Sequence, residues 1–313
     1  MIPEENVMKA KLLILLATSS MTLVGCNKAQ PELSIMTPTG APALAFYNHV
    51  TDAKFETNSV PNNILTEMVG ASKDVVVLPT NVGVKAIVSQ NVQYKIAATI
   101  TFGNFHVAAT GHDDDGVMGA DDYIVLFQKN NVPDKLFHAV YGNSLDAGLH
   151  YVDDVSWAAK CLIQGKDVTT ETKDPVDYVL IAEPAFTSAK AQKATITEYA
   201  NIQEKYKEVQ TADIFQASVF IKNGVDATSF LENLKGEVEA VIANGDLIVE
   251  KTSSLSAEDA QTRLGVAPQV AANVTKNGNG MGLGFKYARE NKEGIDKFLS
   301  LFGMNATSEE IYY

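Results

Sequence analysis

The sequence predicts an α/β protein of two lobes, the second inserted in the first, and three observations predict it. Short apolar runs alternate with amphipathic stretches along the 313-residue chain, the pattern of strands and helices packed in layers. Residues 74–78 are apolar almost without interruption, as a central parallel strand covered on both faces requires. The composition breaks near residues 111–120 and again near 211–216, which marks two crossings between lobes. Residues 33–118 then form the first part of lobe I, 119–216 form lobe II, and 217–313 return to lobe I as a largely helical part.

The elements follow in order. Residues 33–36 read as the first strand. Thr37-Pro38-Thr39-Gly40-Ala41-Pro42 is a turn, and Pro42 suits the first position of a helix, where its missing N–H is no loss. Leu44, Tyr47 and Val50, with Phe46, then recur at helical spacing. Residues 55–60 form a second strand and 63–69 a second helix. Pro79 ends the 74–78 strand, and 82–89 is helical. Strands follow at 94–102 and 105–110. Beyond the break, 123–127, 136–141 and 178–182 read as strands, with helices at 145–152 and 156–164. A last strand at 215–221 precedes helices at 228–243, 256–264, 267–274 and 286–302.

Ahead of this body stands a targeting segment. Lys9 and Lys11 form a short basic region, an apolar run begins at Leu12, and Leu23-Val24-Gly25-Cys26 closes it, the order of a secretory signal. The ending resembles the bacterial lipobox, whose cysteine is lipidated and becomes the mature N-terminus. That assigns residues 1–25 to a lipoprotein signal peptide, Cys26 to lipidation and 26–32 to a polar tether. Residues 1–7 are acidic and fit no signal, which makes Met8 an alternative start.

Bulk properties narrow the function. A net charge of −13 argues against nucleic acid, which needs a basic face. No second apolar stretch approaches the length of a membrane span, so the lipid is the expected membrane contact. With Cys26 lipidated, Cys161 has no partner for a disulfide and, within a helical stretch, reads as a small buried side chain.

The chain resembles the solute-binding lipoproteins of bacterial ABC importers, in the nitrate, sulfonate, taurine and thiamine-precursor group. The resemblance rests on the lipobox, on Thr39-Gly40-Ala41-Pro42-Ala43 after the first strand, on Asp74-Val75-Val76-Val77-Leu78-Pro79-Thr80, and on Asp177-Tyr178-Val179-Leu180-Ile181-Ala182-Glu183-Pro184-Ala185. It implies the type II periplasmic-binding-protein fold, an extracytoplasmic, membrane-anchored monomer, a small solute, a permease partner, and neither catalysis nor a cofactor. In open α/β sheets a ligand sits beyond the carboxyl ends of the strands. The candidate ligand-binding residues are therefore Thr37, Thr39, Gly40, Ala41, Thr80, Asn81, Phe102, Asn104, Asn143, Ser144 and Glu183. The only arginines, Arg263 and Arg289, lie outside these loops, which disfavours a bidentate clamp on an oxyanion and favours a neutral, aromatic or weakly cationic solute beside Glu183.

Rival chemistry is thinly supported. Against a calcium-binding loop, Gly111-His112-Asp113-Asp114-Asp115-Gly116 has glycine at the first ligand position and Asp122 at the last, so it reads as a solvated linker. The five histidines show no paired spacing, which leaves no metal site. Gly280-Met281-Gly282-Leu283-Gly284 follows no apparent strand and reads as a mobile loop. The alternative function is an exported enzyme of the same fold acting on a thiamine-precursor-like heteroaromatic compound, which would need a nucleophile in the cleft.

Overall fold

The computed structural model describes residues 32–112 and 115–313; the signal, Cys26 and tether residues 27–31 lie outside these residues. The chain builds two sheets. The first contains β1 (Ile35–Pro38), β2 (Phe55–Asn58), β3 (Val75–Pro79), β4 (Tyr94–Thr101), β10 (Ala217–Lys222) and β11 (Leu283–Tyr287), in the order β11-β4-β10-β3-β1-β2. The second contains β5 (Phe105–Ala109), β6 (Ile124–Phe127), β7 (Leu149–Val152), β8 (Tyr178–Ala182) and β9 (Thr197–Asn201), in the order β7-β6-β8-β5-β9. Apart from the pairs that β5, β10 and β11 make, the strands of each sheet run parallel. The expected two-lobed α/β architecture with an inserted second lobe is the one the chain adopts.

Strand β3 shows why the first sheet holds. Val75, Val76, Val77 and Leu78 are wholly buried. Val76 and Leu78 join a core that continues through the second sheet, whereas Val75 and Val77 join a separate core on the opposite face. Each such side chain contributes about 2 kcal/mol relative to exposure. Helices cover both faces: α1 (Ala41–Leu44), α2 (Pro61–Val69) and α3 (Thr80–Gln90) between early strands, then α8 (Thr228–Ala243), α9 (Asp246–Thr252), α10 (Ala257–Leu264), α11 (Pro268–Lys276) and α12 (Lys292–Ser300). The second sheet carries α4 (Val132–Tyr141), α5 (Val155–Gln164), α6 (Ala185–Gln192) and α7 (Ile202–Gln210). Local chemistry fixes several starts. Pro occupies the first turn of α1, α2, α4 and α11, and Asp154, Asn201 and Ser256 cap α5, α7 and α10 through their side chains.

Several sequence expectations are corrected. Residues 136–141 are not a strand but the end of α4, whose start is set by Pro133 and by the Asp134 carboxylate accepting from the Asn130 N–H at 2.7 Å. Residues 145–152 are a 3₁₀ turn followed by β7, because Leu149 to Val152 find an open edge beside β6. Residues 286–302 divide into the end of β11, a 3₁₀ turn and α12. Strand β5 pairs with β8 and β9, so the first passage between sheets lies at residues 102–104 and not near 111–120. The second passage lies at 211–216, between α7 and β10.

Direction decides where a site can form. Strands β1 and β2 run parallel to β3, and β10 runs antiparallel to both β3 and β4, so β1 to β4 end along one edge. The chain leaves β4 at that edge and enters β5, whose first residue Phe105 pairs with Ala182 at the end of β8. Strands β6 and β7 run parallel to β8. The carboxyl ends of the two sheets therefore meet across the passage.

Candidate functional site

The turns along this shared edge differ in what their polar groups already do. After β1, the Thr37 hydroxyl is wholly buried and donates to the Pro38 carbonyl at 3.3 Å. The Thr39 N–H donates to Asn58 O at 3.3 Å and the Gly40 N–H to Leu264 O at 2.7 Å. Ala41 opens the four-residue α1, and Pro42 brings no N–H. The backbone donors expected to seat a ligand here are largely engaged by the protein itself.

After β3, the Thr80 N–H donates to Gln216 O at 3.0 Å, and its hydroxyl meets Ser218 Oγ at 2.7 Å. Ser218 Oγ also meets Thr99 Oγ1 at 2.8 Å. This buried chain of three hydroxyls ties β3, β10 and β4 together, so Thr80 has a structural partner. Its neighbour Asn81 is different: the Oδ1 atom is buried and has no hydrogen-bond partner. Thr101 Oγ1 and Asn104 Oδ1, further along the same edge, are buried and unpartnered too. A buried polar atom without a partner costs about 1–3 kcal/mol, and three on one edge of a sheet mark a place where a solute or water completes the bonding.

At the first passage, the Phe102 N–H donates to Gly282 O at 2.8 Å, and its ring lies edge-on to Phe215 with centroids 5.7 Å apart. The loop before β11 approaches so closely that a Cβ on Gly282, at φ +64°, would stand 2.0 Å from Gly103 O. Asn104 Nδ2 donates to Glu183 O at 2.9 Å, and the Glu183 N–H returns a bond to Asn104 O at 2.9 Å. The Glu183 carboxylate, only 8% exposed, accepts from the Thr187 N–H at 3.0 Å and from its hydroxyl at 2.8 Å. It caps the start of α6.

Thr37, Thr39, Gly40, Ala41, Thr80, Asn81, Phe102, Asn104 and Glu183 thus lie along the meeting edges of the two sheets. Asn143 and Ser144 do not. They are exposed and follow helix α4, which runs back from the end of β6, so they reach the opposite edge of the second sheet. Sequence reasoning missed residues 128–131, the turn after β6. A polar Gln128-Lys129-Asn130-Asn131 run after an apolar strand and ahead of Pro133 carries the same signal as the turns it did find.

Two cavities open beside the edge. One of about 900 Å³ is lined by Asn81 and Lys85 of α3, by Asn130 and Lys135 at the start of α4, and by residues 301–308 with Ile311. The other, about 750 Å³, is lined by Glu183, His106, Thr187, Lys190, Glu198 and neighbours from the second sheet, with Asn277, Gly278 and Gly280 from the first lobe. Both lobes contribute to each. The second is internally paired: His106 Nδ1 lies 2.9 Å from Glu198 Oε1, and the His106 ring stacks on Phe186 at 4.8 Å. Cys161 is wholly buried in α5, where burial pushes its thiol up, the opposite of an activated nucleophile. Among the described residues no group of three or more His, Cys, Asp or Glu is placed to hold a metal ion, and no helix is long and apolar enough to cross a membrane.

No protein-family model matches the sequence, and no curated protein matches it. Solved structures do match in shape. A Parabacteroides distasonis protein described as an ABC transporter superposes with a TM-score of 0.68 at 14% identity, over 88% of this chain and 96% of that one. The periplasmic aliphatic sulphonate-binding protein of Escherichia coli gives 0.55 at 12% identity, over 86% and 85%. The alkanesulfonate-binding protein of Xanthomonas axonopodis pv. citri, solved with MOPS bound, gives 0.51 at 12% identity, over 89% and 93%. The chain shares the periplasmic-binding-protein fold with these proteins across nearly its whole described length.

Proposed function

We propose that the protein is an extracytoplasmic solute-binding lipoprotein, anchored through Cys26, that captures a small solute between its lobes and delivers it to an ABC importer. The observation that carries this reading is the edge itself. Polar turns that end strands of two sheets converge there, with Asn81 Oδ1, Thr101 Oγ1 and Asn104 Oδ1 buried and without protein partners. Ligand pockets favour such inter-lobe seats, where a few polar groups stand among apolar walls. The fold supports the same use, since the sulfonate-binding proteins share it.

Binding and release suffice for this role. Two lobes joined by short passages at 102–104 and 211–216 close on a solute by hinge motion. A thermal-shift screen of vitamins, amino acids, sulfonates and nucleobase precursors, followed by small-angle scattering of each stabilising solute, tests it. The expected result is a solute that raises the melting temperature, shrinks the radius of gyration and is recovered unchanged. A solute recovered as a product, or binding without compaction, overturns the reading. Cys26→Ala tests the anchor: the variant leaves the membrane fraction and loses lipid label.

A further inference from the structure

We propose that Asp213 is an ionic latch between the lobes: with Lys286 of the first and Lys207 of the second it holds the lobe angle, and salt releases it. This deepens the solute-binding reading above, because lobe angle governs access to the cleft, and its test uses no solute. Asp213 lies in the second passage with its side chain only 19% exposed. Lys286 Nζ of β11 donates to its Oδ2, and Lys207 Nζ of α7 stands 3.7 Å from its Oδ1. The other ion pairs described for the protein each join residues of a single lobe. Asp213 is where charge spans the two.

The surroundings show why this carboxylate bears on lobe angle. Gln203 Nε2, also on α7, approaches the same Oδ1 at 3.5 Å, while Gln203 Oε1 accepts from the Ile214 N–H at 3.4 Å. The Lys286 ammonium lies 5.6 Å from the centre of the Phe102 ring, so the pair reaches over the first passage as well. Phe102 and Phe215 meet edge-on, and the Gln216 N–H donates to Thr101 O at 3.0 Å, which joins the two passages. Both rings seat on glycines of the first lobe: a Cβ on Gly284 or Gly294 would stand 2.7 Å from Phe102 or Phe215. Apolar contacts of that kind are non-directional and let a ring roll. Lys297 of α12 donates to Gln210 O at the end of α7, where the helix dipole favours a cation. Ionic groups thus set the angle at which the rings rest. One exposed pair is worth little, but two cations on one half-buried carboxylate shift a balance between lobe angles about threefold. Ions in solution screen such a pair and leave the ring contacts unweakened.

The test is double electron–electron resonance on the full chain in detergent micelles. Spin labels stand at Lys235→Cys on α8 and Gln164→Cys on α5, exposed positions on opposite lobes. The labelled protein is compared with the same protein carrying Asp213→Asn, Lys286→Gln, both, or Lys205→Gln, which breaks an exposed pair inside the second lobe. Sodium chloride is raised from about 0.01 M to about 1 M, which shortens the screening length from about 30 Å to about 3 Å. The expected result without latch substitutions is one main inter-lobe distance at low salt, whose ratio to all others falls about threefold at high salt. Asp213→Asn and Lys286→Gln each show that fall already at low salt and no further change as salt rises. The double variant matches Asp213→Asn, and Lys205→Gln matches the unsubstituted latch. A distribution that salt leaves unmoved, an Asp213→Asn protein that keeps the original distribution or still responds to salt, or a Lys205→Gln effect equal to that of Asp213→Asn each overturn the proposal. The salt arm needs no change at the latch, so it decides the matter even where a variant fails to fold. Any of these refutations leaves the solute-binding reading intact, because its own screen decides that.

Discussion

The two cavities beside the inter-lobe edge are similar in size and differ in how their ionic groups are held. On the Glu183 side Glu183 accepts from Thr187, His106 meets Glu198, and Lys205 pairs with Glu208. On the Asn81 side the amide and both lysines have none among the described residues. The difference teaches that polarity at a strand end does not itself identify a binding group. A side chain already satisfied by the fold stabilises it, and one left unsatisfied is available to a solute.

The largest expected effect comes where the loop carrying the Glu183-side wall meets the passage. Gly282→Ala places a Cβ against Gly103 O in a backbone conformation that resists side chains, and stability should fall by about 3 kcal/mol or more. Urea unfolding measures it; a loss under about 1 kcal/mol would show that the loop slides freely over the passage. Next, Glu183→Ala should cost about 1–2 kcal/mol of stability through the lost cap of α6. Solute affinity should change less than it does for Asn81→Ala, and the reverse ranking would exchange the roles of the two cavities.

Asn81→Ala itself sharpens the contrast. With no protein hydrogen bond to lose, it should leave stability within about 0.5 kcal/mol while weakening a stabilising solute about tenfold. Chemical denaturation and calorimetry on the same preparation separate the two quantities.

The smallest effect lies away from both cavities, in a half-buried ionic cluster. His49 Nδ1 is 2.8 Å from Asp52 and its Nε2 is 3.4 Å from Glu237, while Asn48 Nδ2 donates to Glu237 at 2.9 Å. Burial alone would lower the His49 value, but the hydrogen bonds to Glu237 and Asp52 outweigh it and hold the ring above its usual 6.5. Burial would raise Glu237, yet bonds from His49 and Asn48 keep its carboxyl below the usual 4.5. A raised histidine contributes stability that is complete below pH 6.5 and is lost as pH rises through the folded-state value. A lowered carboxyl contributes above 4.5 and is lost on acidification. The cluster therefore stabilises most between these limits, and His49→Asn should flatten the decline above pH 6.5 in pH-dependent unfolding. An unchanged slope removes His49 from the account.

Much of the fold was legible because single segments carried their own signal. Residues 74–78 read as a central strand since the four positions after Asp74 are apolar without interruption, and the structure buries all four of Val75, Val76, Val77 and Leu78. Leu136, Phe137, Val140 and Tyr141 misled because dense apolar residues suit strand and helix alike, and the error carried Asn143 and Ser144 into the predicted site. Strand β11 hid among glycines because its identity comes from pairing with β4, distant in sequence. The position of Glu183 was legible, and that Thr187 engages its carboxylate shows only once α6 is folded against the strand end. Lys85 and Lys135 gave no signal at all. Their cavity exists only once residues 301–311 close it, and no local pattern announces a wall supplied from the far end of a chain.

Strand β10 sits between β3 and β4, and Ser218 bonds Thr80 across 138 positions. Drawing such distant residues together costs about 2 kcal/mol more than closing a ten-residue loop. The second sheet carries nearly the same debt, since β5 pairs His106 with Asn201, 95 positions apart. Each lobe is thus closed by a strand drawn from far along the chain, β10 in one and β5 in the other, and neither sheet is assembled from neighbouring segments alone.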